Sequence, residues 1–159
     1  MANVTIITVG TLKESYLREA VSEYKKRLSQ YAKVDEVELK EERIKNEDNR
    51  AEIESALSKE ADKILTAIPK DALKIALCVE GKQYTSEELS RLIGEGCETG
   101  GKIAFVIGSS YGLSERVKRE CDVRLSFSKL TFPHQLMKVV LFEAVYRSFT
   151  ILYGKRYHK

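Results

Sequence analysis

The stretch Phe127-Ser-Lys-Leu-Thr-Phe-Pro-His134, followed by an apolar segment from Leu136 to Leu152, decides how this chain is interpreted. The apolar segment has no Gly or Pro, and Pro133 suits the first turn of a helix because the N–H that proline lacks would have no partner there. We therefore predict a helix from about His134 to Tyr153. A basic aromatic segment, Lys155-Arg-Tyr-His-Lys159, closes the chain. We expect a site at one end of this helix, with the C-terminus folded over it.

The predicted last helix is apolar on two faces. Helical spacing gives one stripe of Val139, Phe142, Tyr146 and Phe149, a second of Met137, Leu141, Val145 and Leu152, and a narrow polar face of Lys138, Glu143, Arg147 and Thr150. Glu143 and Arg147 are spaced for an i,i+4 ion pair. One apolar face can pack on a sheet, and the other predicts a second subunit, hence a homodimer. A deep groove in the chain's own core is the alternative.

Upstream of this helix, short β-rich runs alternate with helical periodicity. A capping-box pattern, Thr85-x-x-Glu88, opens one helix, and Pro69 stops another. Strands are predicted over 4–9, 34–39, 73–79, 102–107 and 123–126, and helices over 14–28, 49–68, 85–95 and 114–120. Such alternation predicts an α/β fold with a mostly parallel sheet flanked by helices. The length, 159 residues, predicts a single domain over residues 1–159.

Composition excludes several classes of protein. With 43% hydrophobic and 32% charged residues the chain is globular rather than disordered. No apolar run approaches the roughly 20 residues that span a bilayer, and the N-terminus lacks the features of a signal peptide, so we expect a cytoplasmic protein without membrane contact. Cys78, Cys97 and Cys121 lie far apart and the chain has two histidines. Neither a disulfide framework nor a metal site is expected.

Charge is distributed unevenly along the chain. From Asp35 to Asp62 there are eleven acidic and five basic residues, whereas from Arg116 to Lys159 there are ten basic and three acidic. The basic C-terminal part favours an anionic partner, with RNA as the leading candidate. Two ordinary solvated faces that differ in sign are the alternative.

Three loops are predicted at the carboxyl ends of strands: 78–81, 108–113 and 127–132. In open α/β sheets, ligands bind in the crevice outside these strand ends. Gly81, Gly108 and Gly112 allow the backbone to approach a ligand closely. The glycines match neither the dinucleotide fingerprint nor a Walker A loop. Taken alone, these glycines are more typical of ordinary turns than of a ligand-binding loop.

Five segments together resemble one known family. They are Ile7-Thr-Val-Gly-Thr-Leu12, Phe105-Val-Ile-Gly-Ser-Ser-Tyr-Gly-Leu113, the run from Leu125 to Met137, the helical run from Val139 to Arg147, and the terminal Tyr157-His158-Lys159. In wording and order they resemble the ribosomal RNA large subunit methyltransferase H family of the SPOUT superfamily. The resemblance covers essentially the whole chain, and the loop before Pro133 with the terminal motif is its most specific part.

The resemblance implies an activity, a fold and a set of site residues. It implies S-adenosylmethionine-dependent methylation of N3 of a pseudouridine in the helix 69 loop of 23S rRNA, by a homodimer of a domain with a C-terminal trefoil knot. Carried over by position, the cofactor-binding residues are Leu77, Gly108, Phe127, Ser128, Lys129, Leu130, Thr131 and Phe132. The family usually has Gly-Gly where this chain has Gly108-Ser109. A positive φ at Ser109 would strain the loop.

The terminal segment supplies candidate catalytic residues. N3 of pseudouridine must lose a proton before it attacks a methyl group, and His158 titrates in the useful range. Tyr157 is a candidate to stack on the base, and Arg147 to reach RNA across a dimer if it is not merely the partner of Glu143. Candidate phosphate contacts are Lys155, Arg156 and Lys159. A solvated terminus is the alternative. His134 is interpreted as bracing the loop–helix junction.

Two other functions remain open at this point. A SPOUT methyltransferase acting on tRNA would share most of these features. A ribosome-binding or assembly module without catalysis would share them as well, and Ser109 is the sequence feature that favours it.

Overall fold

The computed structural model describes residues 1–156, and within that range strands and helices alternate along the chain. The elements are β1 (Ala2–Val9), α1 (Ser15–Leu28), β2 (Ala32–Leu39), α2 (Arg50–Ala67), β3 (Leu73–Gln83), α3 (Ser86–Glu98), β4 (Lys102–Ile107), α4 (Glu115–Glu120), β5 (Val123–Ser126) and α5 (His134–Leu152). The α/β class predicted from the sequence is confirmed, and each predicted element is present with small shifts at its ends.

The five strands form one parallel sheet in the order β2-β1-β4-β3-β5. β1 and β4 lie at its centre, with Val4 opposite both Val34 and Ile103. Their continuous apolar runs are buried, as expected for strands covered on both faces. β2 lies at an edge, which explains its alternation of buried and exposed residues.

Helices cover both faces of the sheet. On one face, α1, α3 and α5 enclose a core that includes Phe105, Phe142 and Phe149. On the other, α2 and α4 contribute Ile64 and Val117 to a smaller core. No helix among residues 1–156 has the length and apolarity to cross a membrane.

Helix α5 differs from the prediction in how it is covered. Residues of both predicted apolar stripes are fully buried within the chain, Phe142 and Phe149 from one and Leu141 and Val145 from the other, because α5 packs between α1 and α3. Lys138 and Thr150, assigned to the polar face, are buried too. The Lys138 ammonium lies 2.9 Å from Glu36 and 3.3 Å from Glu38, and the Thr150 hydroxyl donates to the Arg147 carbonyl.

Two local predictions were wrong by a few residues. Pro133 is the N-cap of α5 rather than part of its first turn, with φ −55° and ψ 136°. Strand β3 does not end at Val79 but continues to Gln83 after a shift in register against β5 between Leu77 and Lys82. The shift requires glycine, since a Cβ atom at Gly81 would lie 2.7 Å from the backbone of Arg124.

Candidate active site

A cavity of about 720 Å³ opens at the carboxyl edge of the sheet. Three segments form its walls: residues 77–80 of β3, the loop 107–113 after β4, and the region 125–134 that joins β5 to α5. This volume suits a ligand of cofactor size. A cavity of this size therefore lies where the sequence predicted a site, outside the carboxyl ends of the strands.

The loop after β4 is a tight turn that brings backbone to the cavity. A Cβ atom at Gly108 would overlap the carbonyl group of Gly112, and Gly112 itself has φ +84°. The Gly112 N–H donates to the Ser109 carbonyl at 2.8 Å, which closes the turn. Ser109 does not adopt a positive φ, because among the described residues other than glycine only Asp71 does. The strain considered for Ser109 is thus not present.

The loop after β5 is held by its own serines. The Ser126 hydroxyl donates to the Ser128 carbonyl at 3.1 Å, and the Ser128 hydroxyl accepts the Leu130 N–H at 3.0 Å. These bonds fix the loop while Phe127 and Phe132 line the cavity. Leu130 also lines it and is 74% exposed, so the rim carries an apolar side chain that a ligand can cover.

Most of the predicted cofactor-binding residues meet at this cavity. Leu77, Gly108, Phe127, Ser128, Leu130, Thr131 and Phe132 line it, whereas Lys129 is exposed and lies outside the lining. The sequence did not identify the deeper apolar wall, which includes Ile107, Leu125 and Met137. These three residues belong to predicted strands and a predicted helix, where apolar side chains indicate core rather than a site.

Two charged residues on the cavity wall were also missed. Glu80 of β3 and Lys118 of α4 line the cavity and form an ion pair, and Glu115 lies 3.4 Å from the same ammonium. Burial disfavours the charge on Lys118, but the hydrogen bond and charge of Glu80 outweigh it and raise the pKa of Lys118. The hydrogen bond from Lys118 lowers the pKa of Glu80. Both side chains are therefore ionised at neutral pH.

An acidic region borders the loop after β4. The Ser110 hydroxyl donates to Glu41 at 3.2 Å, and Glu60 is buried while accepting the Glu42 N–H at 2.9 Å. Burial raises the pKa of Glu60, with a smaller opposing effect from the Ser109 hydroxyl. Burial and neighbouring carboxylates, Glu47 foremost, likewise raise the pKa of Tyr111. Negative charge is thus concentrated on one side of the cavity.

The candidate catalytic and RNA-binding residues lie elsewhere. Arg147 pairs with Glu143 at 2.8 Å, as the spacing predicted, and does not line the cavity. His134 does line it and its ring lies against Gly10 of the β1–α1 loop, a contact that braces the start of α5. Lys155 and Arg156 are exposed beyond the other end of α5. Tyr157, His158 and Lys159 lie outside the described residues.

Helix α5 begins at the cavity and runs for 19 residues, a length of about 28 Å. Lys155 and Arg156 follow the far end of this helix and do not line the cavity. The expectation that the C-terminus folds over the site also involves the three terminal residues, which lie outside the described part of the chain, and it stays a prediction.

The residues present fit S-adenosylmethionine. The wall formed by Leu77, Phe127 and Phe132 offers apolar contact to an adenine ring, and the tight turn at Gly108 exposes backbone groups for hydrogen bonds. The ionised pair of Glu80 and Lys118 offers charge to an amino-acid group. Among residues 1–156, no group of three side chains could hold a metal ion.

Comparison with known proteins agrees with this geometry. Residues 2–158 match the family described as "Predicted SPOUT methyltransferase". The chain is similar to the ribosomal RNA large subunit methyltransferase H of Caldicellulosiruptor bescii, with 49% identity over 98% of this chain and 99% of that protein. It is 48% identical to the protein of the same name from Shouchella clausii, over 99% of each chain.

A solved structure shares the fold. It is the structure of a probable methylase family protein from Haemophilus influenzae Rd KW20, which superposes with a TM-score of 0.55 over 98% of this chain and 70% of that one. At 15% identity this likeness speaks for the fold alone. The family match and the near-full-length relatives decide the classification, and this chain belongs to the ribosomal RNA large subunit methyltransferase H family of SPOUT methyltransferases.

Proposed function

We propose that this protein methylates N3 of a pseudouridine in the helix 69 loop of 23S rRNA on the assembled ribosome, with S-adenosylmethionine as methyl donor. The observation that carries the proposal is the cavity at the carboxyl edge, where seven residues implied by the family resemblance converge. The names of the relatives support ribosomal RNA as substrate. The proposal includes a cytoplasmic location, where ribosomes are found, and one domain over residues 1–159 with the family's trefoil knot.

The chain's own residues contribute orientation, exclusion of water and a proton acceptor. S-adenosylmethionine supplies an electrophilic methyl carbon and leaves as a neutral thioether. Phe127, Phe132 and Leu77 exclude water from the cavity, and the turn at Gly108 fixes the bound group, so that alignment provides a large part of the acceleration. In this proposal His158 takes the N3 proton and Tyr157 stacks on the target base.

The same proposal requires a homodimer. In this proposal Lys155, Arg156 and the three residues that follow serve the cavity of a second subunit, because the length of α5 separates Lys155 and Arg156 from the cavity at which this helix begins. Apolar residues that remain exposed on α5, namely Leu136, Ile151 and Leu152, are available for such an interface. Arg147, two-thirds buried beside Glu143, is a candidate to contact RNA bound at the partner.

The experiment that tests the activity is transfer of labelled methyl from S-adenosylmethionine to ribosomes that lack the modification, followed by nucleoside mapping. Label on N3 of the helix 69 pseudouridine is expected. Label on tRNA but not on ribosomes would favour the tRNA alternative. Absence of transfer together with absence of cofactor binding by calorimetry would favour a ribosome-binding module without catalysis.

The dimeric site is tested by mixing two inactive variants. One carries Gly108→Ala, which disables its cavity, and the other lacks residues 155–159. If the terminal segment acts in the partner's cavity, mixed dimers hold one complete site. Random exchange then restores about a quarter of wild-type activity, because half of the dimers carry one of two sites. No recovery from dimers shown to have exchanged, or a monomer by light scattering at micromolar concentration, would contradict the proposal.

A further inference from the structure

The cavity wall carries one pair of oppositely charged residues. Of the described residues that line the cavity, Glu80 and Lys118 are the only members of the Asp, Glu, Lys and Arg set. Glu80 lies within the irregular part of β3, between Leu77 and Lys82, where the register against β5 shifts, and Lys118 reaches it from α4. The remaining lining consists of apolar side chains, hydroxyl groups, backbone and His134.

Stability alone does not account for this pair. The Lys118 side chain is 13% exposed, so placing its ammonium there costs desolvation, whereas the Glu80 side chain is 58% exposed. Ion pairs with one half-exposed partner contribute little to stability. An apolar contact between α4 and β3 would stabilise the packing of these two elements at least as well as the ion pair does. The pair is better explained by a ligand that needs charge at this point of the cavity.

The methyl donor carries such charges at one end. Its adenosine part is neutral and suits the apolar wall, while its amino-acid end bears an ammonium and a carboxylate group. Lys118 engages Oε1 of Glu80 and lies within 3.4 Å of Glu115, so the ammonium of Lys118 is shared between two carboxylates. The Glu80 carboxylate also accepts a hydrogen bond from its own backbone N–H, and because a carboxylate can accept about four hydrogen bonds, it keeps acceptor capacity for a cationic ligand group.

We propose that Glu80, positioned by Lys118, binds the α-ammonium of the donor's amino-acid end and that Lys118 attracts the adjoining carboxylate. This inference rests on the proposed function, because it assigns a part of the same cavity. It adds two residues to the binding site and gives each a separate part of the donor to recognise. Adenine and ribose are recognised independently, by the walls and turns described above.

Three ligands separate the parts of the donor in a calorimetric test on the full chain. Methylthioadenosine lacks the amino-acid end, S-adenosylhomocysteine has that end with a neutral sulfur, and S-adenosylmethionine adds the sulfonium charge. We expect Glu80→Gln to weaken S-adenosylmethionine and S-adenosylhomocysteine by tenfold or more each, and methylthioadenosine by less than twofold. Lys118→Met is expected to show the same selectivity. Thermal melts verify that each variant is folded.

A matched control comes from the same helix as Lys118. Glu120 is exposed on α4 and does not line the cavity, so Glu120→Gln removes the same charge without touching the ligand. All three affinities are expected to stay within twofold of wild type in this control. Changes in Glu120→Gln that match those in Glu80→Gln would indicate a general charge effect and overturn the inference.

The other outcomes also decide the question. Equal losses for all three ligands would mean that Glu80→Gln damages the wall, and a loss for S-adenosylmethionine alone would assign Glu80 to the sulfonium; either overturns the inference. If the wild type binds the donor and Glu80→Gln binds all three ligands with unchanged affinity, the inference is overturned as well, while the proposed function stands. A wild-type chain that binds none of the three ligands would overturn both.

Discussion

The buried ammonium of Lys138 ties α5 to the edge of the sheet, and its removal gives a sharp test of the packing. Its side chain is 3% exposed and lies 2.9 Å from Glu36 and 3.3 Å from Glu38, both on β2. Glu36 also bonds Lys25 of α1 at 3.0 Å. Replacement by Met keeps most of the apolar stem and removes the charge.

The structure sets the size of the effect. Breaking a buried ion pair by removing one partner costs about 3–5 kcal/mol when the remaining charge stays buried. Here the remaining carboxylates are 23% and 39% exposed, and Glu36 keeps Lys25, so water and a second cation offset part of the cost. We expect Lys138→Met to lower the free energy of unfolding by about 2 kcal/mol. For a chain of this length that lowers Tm by about 4–8 °C.

Urea unfolding at fixed protein concentration measures this difference. The midpoint should fall while the m value stays constant, since the surface exposed on unfolding does not change. Lys33→Met is the matched control, because Lys33 lies on the same strand as Glu36, is 68% exposed and pairs only loosely with Asp35 at 3.7 Å. Its effect should stay below about 0.5 kcal/mol. A Lys138→Met midpoint equal to that of Lys33→Met would refute the reasoning.

The pH dependence provides a second reading of the same group. Burial raises the pKa of Glu36, but hydrogen bonds and charges from Lys138 and Lys25 outweigh it and leave the pKa below the ordinary value of 4.5. A depressed folded-state pKa gives stability that is present above pH 4.5 and lost as the pH falls through the lower, folded value. The difference between wild type and Lys138→Met should therefore shrink at acidic pH. A difference that is constant down to acid unfolding would contradict this.

Two further substitutions and one chemical modification test other parts of the structure. Gly108→Ala should weaken S-adenosylmethionine at least tenfold in calorimetry, because its Cβ would overlap the Gly112 carbonyl; unchanged affinity would mean that the turn can open. Glu60→Gln should stabilise the fold by about 1 kcal/mol at pH 8, because burial raises the pKa of Glu60 and leaving Oε1 charged without a partner is costly. That gain should vanish below about pH 4.5, where Glu60 is protonated in both states, and urea midpoints at both pH values decide it. Burial, with a smaller contribution from Asp122, raises the pKa of Cys121 to about 11, so peptide mapping should find it alkylated at pH 8 far more slowly in the folded than in the unfolded chain; equal rates would contradict its burial.

Local signals allowed most of the fold to be predicted. The capping box of Thr85 and Glu88 is formed as its spacing indicates, with Thr85 accepting the Glu88 N–H and the Glu88 side chain accepting the Thr85 N–H. The continuous apolar run of β4 predicted a central strand, because both faces of such a strand must be covered. These elements depend on residues within a few positions of one another.

The predictions that failed depend on distant residues. Lys138 is buried because its partners lie on β2, about a hundred positions earlier, and no helical pattern contains that information. The extension of β3 rests on the close approach of Gly81 to Arg124. For the site, periodicity indicated three loops, and the resemblance named the residues. Glu80 lies in the first of these loops but was not singled out, although a carboxylate before a glycine at the end of an apolar strand was a usable signal, and Lys118 lay outside all three loops.

The position of the acidic region bears on how RNA approaches the proposed site. The segment from Asp35 to Asp62 carries a net charge of −6, and its members Glu41 and Glu60 lie beside the loop after β4. Phosphate groups are repelled from that side of the cavity. On the other side, the loop after β5 presents exposed Lys129 and Leu130. If the proposed substrate is correct, a target base that enters along this second side meets the Lys129 cation near its phosphates and the apolar Leu130 side chain near its ring. The acidic segment therefore favours an approach of RNA from the side of the loop after β5.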